Sequence, residues 1–188
     1  MTPHPPRGSV QRGFTLLEVL IAILVVSIGL LGLAKMQALA VSGTQVASSR
    51  SIVAMQTASL AAAMHGNRAY WAAGVAPATF GASGTTVSDA TGVLTATPPV
   101  CKAATAPGTP LCTPAQLAAY DLQGWARSMA GLFPTYTATG SCSTSASGPI
   151  SCVLTVTWLE NYARANQIAV SNSAATGGTR SYTLYVEP

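Results

Sequence analysis

The sequence predicts an α+β fold: a long N-terminal helix, transmembrane in its first half, packed on a small antiparallel β-sheet domain with one additional helix. Three observations carry this expectation. Residues 14–34 form an apolar run whose one charge is Glu18. No proline occurs between Pro6 and Pro77, so no residue there lacks the N–H that a helix interior needs. Late in the chain Cys152, Leu154, Val156 and Trp158 alternate with Val153, Thr155, Thr157 and Leu159, the period-2 signature of a strand.

Residues 1–13 read as a short basic leader with Arg7, Arg12 and three prolines. Positive residues beside a membrane span stay in the cytoplasm. The N-terminus is therefore expected in the cytoplasm and everything after Ala34 on the far side of the membrane. Without the leader, seven basic and five acidic residues remain, a net +2, with no Lys/Arg cluster, so nucleic acid is not an expected partner. The run 14–34, read as a helix, is about 31 Å long, close to the hydrocarbon thickness of a bilayer. It exceeds the ~7–15 residues of a cleaved signal-peptide core, and no A-x-A site closes it; Gly32-Leu33-Ala34 comes nearest.

After Lys35 the helix is expected to continue, amphipathic, over residues 35–66. Leu39, Val46, Val53 and Leu60 recur every seven residues, as do Ala40, Ala47, Ala54 and Ala61. One helix from about Phe14 to about His65 would be on the order of 80 Å long. Gly29 and Gly32 weaken it by roughly 1 kcal/mol each relative to alanine. Gly66-Asn67 is a C-terminal stop signal. The alanine stripe argues for close packing on a sheet.

Residues 67–188 read as an exported globular domain. Its first part, 72–110, lacks periodicity and reads as loop, with short strands near 85–87 and 92–97. Thr113-Pro114-Ala115-Gln116 opens a helix: threonine caps, proline suits the first turn, and Gln116 completes a capping box. Leu117, Tyr120, Trp125, Met129 and Leu132 follow at near-helical spacing, with Trp125 as a packing residue, and Pro134 ends the element. Asp121 and Arg127 are six apart and do not face each other. Residues 135–141 should pair with 152–159 through 143–149. Ile168–Val170 and Ser181–Val186 should form a second hairpin around Gly177-Gly178, with Tyr182, Leu184 and Val186 on one face.

All four cysteines, Cys101, Cys112, Cys142 and Cys152, fall in the exported part, where disulfides persist. Three pairings are possible; 101–112 and 142–152 are favoured because sequence neighbours close the smaller loops. No cysteine pair has zinc-ligand spacing and no histidine lies nearby, so no metal is expected. Catalytic residues and cofactors are not expected either. His4 lies in the leader, His65 ends a helix, and the five acids are scattered. A cleft holding Asp121 or Glu160 with a strongly perturbed pKa would be the sign of an enzyme.

The stretch Gly13-Phe14-Thr15-Leu16-Leu17-Glu18-Val19-Leu20-Ile21-Ala22 resembles the class III signal of type IV pilins and of type II secretion pseudopilins. The resemblance implies cleavage between Gly13 and Phe14 by the prepilin peptidase and N-methylation of Phe14. It implies a type IV pilin-like fold in which residues 14–34 serve as both membrane anchor and filament core. Glu18 would meet the N-terminus of a neighbouring subunit during assembly. An ionised carboxylate at a bilayer centre costs about 2.5–3.5 kcal/mol, less toward the helix end. The bland alternative is a first-turn carboxylate stabilised by the helix dipole.

Further blocks, S-I-G-L-L-G-L-A-K-M-Q, M-H-G-N-R-A, C-T-P-A-Q-L-A-A-Y-D-L, C-V-L-T-V-T-W and Y-T-L-Y-V, look like the PilV group of minor pilins. Gly66 departs from that group, which more often has a helix former there. The implied function is a minor pilin that helps prime or cap pilus assembly. The implied partners are other minor pilins, the major pilin, a tip adhesin and inner-membrane lipid. The alternative is the I-type pseudopilin of type II secretion, which shares the opening block.

Overall fold

The structure, a computed structural model, describes residues 13–101, 112–143, 148–160 and 178–188. The chain divides into two compact units, Met1–Gly43 and Thr44–Pro188. Helix α1, Leu16–Gly66, contributes to both.

In the first unit every described residue is exposed apart from Ser42, which is half-buried. By length and composition α1 can cross a membrane, and the window that qualifies has no residue buried. The Ser27 hydroxyl donates to the Ile23 carbonyl (2.7 Å), so the helix itself satisfies this polar group of the apolar run. Gly29 and Gly32 lie within the helix without interrupting it.

In the second unit α1 buries Val53, Thr57, Leu60, Ala61 and Met64. The expected stripe of sevens is only partly buried. Val53, Leu60 and Ala61 are inside, Val46 and Ala54 are half-buried, and Leu39, Ala40 and Ala47 are exposed. A straight helix drifts about 20° per heptad from a strict seven-residue repeat. The buried face instead follows 53, 57, 60 and 64, and it includes Thr57, whose hydroxyl donates to the Val53 carbonyl (2.8 Å). Gly66 closes the helix and His65 is exposed. Asn67 is buried and its Nδ2 donates to the Pro114 carbonyl (2.7 Å). A short helix α2, Arg68–Trp71, turns Tyr70 and Trp71 inward, their rings edge-on at 5.1 Å.

The stretch expected to be mostly loop contains a hairpin, β1 (Thr79–Ser83) and β2 (Thr86–Asp89). Gly84, at φ +55°, opens the two-residue turn between Ser83 and Thr86. Thr85 keeps a negative φ, so the turn is the type II′ that suits strand twist. No strand forms over 92–97. Instead the Asp89 carboxylate accepts N–H bonds from Thr91, Gly92 and Leu94, and Gln123 Nε2 donates to the carbonyls of Leu94 and Ala96. These bonds seat Leu94 in the core, fully buried.

Helix α3, Pro114–Leu132, begins with the expected capping box: Gln116 N donates to Thr113 Oγ1 (3.3 Å), and Thr113 N donates to Gln116 Oε1 (2.9 Å). It buries Ala118, Ala119, Leu122, Trp125, Ala126 and Met129. Strands β3 (Thr137–Cys142), β4 (Cys152–Glu160) and β5 (Gly178–Val186) complete an antiparallel sheet of order β2-β1-β3-β4-β5. Cys142 and Cys152 face each other at the end of the β3–β4 ladder and are bridged; Cys101 and Cys112 are bridged ahead of α3.

β5 starts earlier than expected, at Gly178, and pairs with β4 from Glu160↔Gly178 to Cys152↔Val186. The expected strand at 168–170 lies outside the described residues. One face of β4 (Cys152, Leu154, Val156, Trp158, Glu160) is buried, and Tyr182, Leu184 and Val186 share that side. Gly140 pairs with Phe80, whose ring covers it so closely that a Cβ there would overlap the Cζ and Cε atoms of the ring.

Candidate functional site

The N-terminal site is built by the first turn of α1. Gly13 and Phe14 precede the helix, and Phe14 is 83% exposed. Thr15 caps the helix: the Glu18 N–H donates to the Thr15 carbonyl (3.1 Å) and reaches Thr15 Oγ1 (3.3 Å). The cap places Glu18 in the first turn, where unpaired helix N–H groups favour a carboxylate. Thr15-Leu16-Leu17-Glu18 is a readable T-x-x-E helix-start signature that sequence reasoning passed over. Around Glu18, Leu17, Leu20 and Ile21 are all exposed. Its side chain makes no hydrogen bond or ion pair among the described residues. The arrangement is thus an exposed acid on an apolar helix, four residues after the residue that follows Gly13.

The two acids singled out as signs of an enzyme have different surroundings. Glu160 is buried and accepts from Arg50 Nε (2.8 Å), Arg50 Nη2 (2.9 Å) and Arg180 Nε (3.3 Å). The Arg50 hydrogen bonds hold its carboxyl below the ordinary range against the opposing effect of burial, with the charges of both arginines helping. It joins α1 to the sheet, which is a structural role. Sequence parity contained the signal: Glu160 is the next even step after Cys152, Leu154, Val156 and Trp158, so it falls on the buried face, and a buried acid needs a cation.

Asp121 lines a groove of about 240 Å³ between α1 and α3, and burial raises its pKa. Among the described residues, neither a histidine nor a cysteine nor a second acid lines that groove beside Asp121. The Trp125 indole N–H donates to the Gln56 carbonyl (2.8 Å) and the ring stands edge-on to Tyr136 at 5.8 Å, the packing role expected of it. Among the described residues no cluster of three or more His, Cys, Asp or Glu is placed to hold a metal ion.

A family profile, the prokaryotic N-terminal methylation motif, matches residues 8–34. Comparisons with curated proteins and with solved structures find no match. The matched stretch contains Gly13, Phe14, the Thr15 cap and Glu18. Such a motif points to a structural protein rather than an enzyme. It implies a substrate of the prepilin peptidase that is anchored in the inner membrane and assembles with other pilins. The N-methylation motif of prokaryotic pilins, a long N-terminal helix and a small antiparallel sheet with a further helix are together consistent with a type IV pilin-like protein.

Proposed function

We propose that this chain is a minor pilin of a type IV pilus that helps prime or cap assembly at the inner membrane, and that it is not an enzyme. The observation that carries the reading is Glu18: a first-turn acid with no partner among the described residues, on an apolar helix that begins at the methylation motif. Cleavage after Gly13 frees an ammonium on Phe14, and N-methylation keeps it cationic. In an assembly the ammonium of one subunit meets Glu18 of the next, which sets the register of the incoming subunit. Other minor pilins and the major pilin are the neighbours, with a tip adhesin beyond them. The exported domain, stapled by its two bridges, faces the periplasm before assembly.

The test compares sheared surface pili with the membrane fraction, both blotted for this subunit. Glu18→Ala makes the anchor more apolar, so it inserts and is processed. If the carboxylate only complements the helix dipole, about 0.3–1 kcal/mol is lost and incorporation survives. If it pairs with a neighbour, losing one partner of a poorly solvated pair costs about 3–5 kcal/mol and the subunit stays in the membrane. Equal recovery of mutant and wild type in pili refutes the assembly role. Wild-type protein that accompanies secretion pseudopilins instead of pili favours the I-type pseudopilin.

A further inference from the structure

Three acids lie on the helices and strands of the second unit, and two of them are satisfied internally. Glu160 holds two arginines, and Asp89 takes three backbone N–H groups and the Thr91 hydroxyl. Asp121 is the third. Among the described residues it makes no hydrogen bond or ion pair and is the one charged side chain lining the α1–α3 groove. Leu60, Ala63 and Trp125 give the groove apolar walls; Ser59, Tyr120 and Ser128 add hydroxyls. The Trp125 indole N–H is committed to the Gln56 carbonyl, which fixes the largely buried ring in the groove wall.

We propose that this groove is the docking site for a lysine or arginine side chain of a neighbouring pilin-like subunit, whose stem lies along Leu60, Ala63 and Trp125 and whose charged head meets Asp121. The inference rests on the reading that the chain assembles with other pilins. Charge complementarity selects the occupant. An acidic group is repelled by Asp121, and an apolar one buries that carboxylate without a partner, at a cost. A long cationic side chain satisfies both parts of the groove, because its methylenes cover apolar surface and its head pairs with the acid. The raised pKa of Asp121 fits a carboxylate that lacks such a partner.

The test uses the full chain in cells, with a photo-cross-linking amino acid at Ser59, in wild-type, Asp121→Asn and Asp121→Lys backgrounds. The expected adduct maps to a lysine- or arginine-bearing peptide of a protein with the N-terminal methylation motif, a second copy of this chain included. Asp121→Asn lowers its yield about tenfold and Asp121→Lys abolishes it. Reversing the charge of the mapped partner residue restores it in the Asp121→Lys background. Asp121 holds nothing among the described residues, so the Asn variant keeps the wild-type melting temperature, which separates docking from folding. An adduct of unchanged yield in Asp121→Lys, an adduct mapping elsewhere, or no adduct overturns the proposal. If Glu18→Ala enters pili normally but the Asp121-dependent adduct is present, the groove stands and the Glu18 assembly role falls. Intact, Glu18-dependent pili without the adduct give the converse.

Discussion

The Arg50–Glu160–Arg180 cluster makes a sharp prediction about which partner matters more. Arg50→Ala leaves the Glu160 side chain, 2% exposed, with Arg180 alone at 3.3 Å. Breaking a buried pair from one side costs about 3–5 kcal/mol. Here the loss is smaller, because Arg50 is 52% exposed and therefore screened, and one guanidinium remains. About 2–3 kcal/mol is expected, a fall in Tm of roughly 5–10 °C for a chain of this size. Glu160→Gln keeps the shape, and both half-exposed arginines regain water, so it costs about 1–2 kcal/mol.

The pH dependence follows from the direction of the shift. The folded pKa of Glu160 is depressed, so its contribution is present above the unfolded carboxyl pKa, about 4.3, and is lost as pH falls through the lower folded value. Thermal melts by circular dichroism on the processed chain in detergent micelles, from about pH 7 to about pH 2, measure all three proteins. The gap between wild type and Glu160→Gln should close at the acid end. A Gln variant less stable than Arg50→Ala at neutral pH, or a gap that stays constant into acid, refutes the reasoning.

Three further predictions concern packing, bridging and processing. Gly140→Ala drives a methyl into the Phe80 ring and should cost about 1–3 kcal/mol, partly recovered by Phe80→Leu in the same chain; melts that match wild type would contradict the contact. The bridges Cys101–Cys112 and Cys142–Cys152 close short loops worth roughly 2.5–3 kcal/mol each in the chain-entropy model, so reduction should lower Tm markedly and non-reducing peptide mapping should return these two pairs rather than crossed ones. Gly13→Val places a branched side chain at the cleavage junction and should leave the 13-residue leader attached; intact mass spectrometry showing a mature N-terminus at Phe14 would count against it.

Most of the elements were legible because their signals are local. The apolar run and the absence of proline gave α1. Thr113-Pro114-Ala115-Gln116 gave the start of α3, and alternation gave β4 with its buried face. The expected short strand near 85–87 falls on β2, but its partner β1 is not read from the sequence although Ser83-Gly84 is a turn dipeptide, because Gly81 and two alanines weaken the strand pattern there. At the N-terminal site, Gly13, Phe14 and Glu18 were found by motif, whereas the Thr15 cap, equally local, was not.

The sequence by itself determined the long helix α1, the start of α3 and the strand β4 with its buried face, that an acid stands in the first turn of an apolar helix, and that the chain carries a pilin-type signal. These depend on neighbours within a few residues, whose spacing is written in the chain. Only the tertiary structure decided that Glu160 is held by Arg50, 110 residues away, while Asp121 lines a groove between two helices with no partner among the described residues. It also decided that a phenylalanine ring lies on Gly140. Burial and charge pairing are set by what packing brings across the domain, and sequence separation carries no information about that distance.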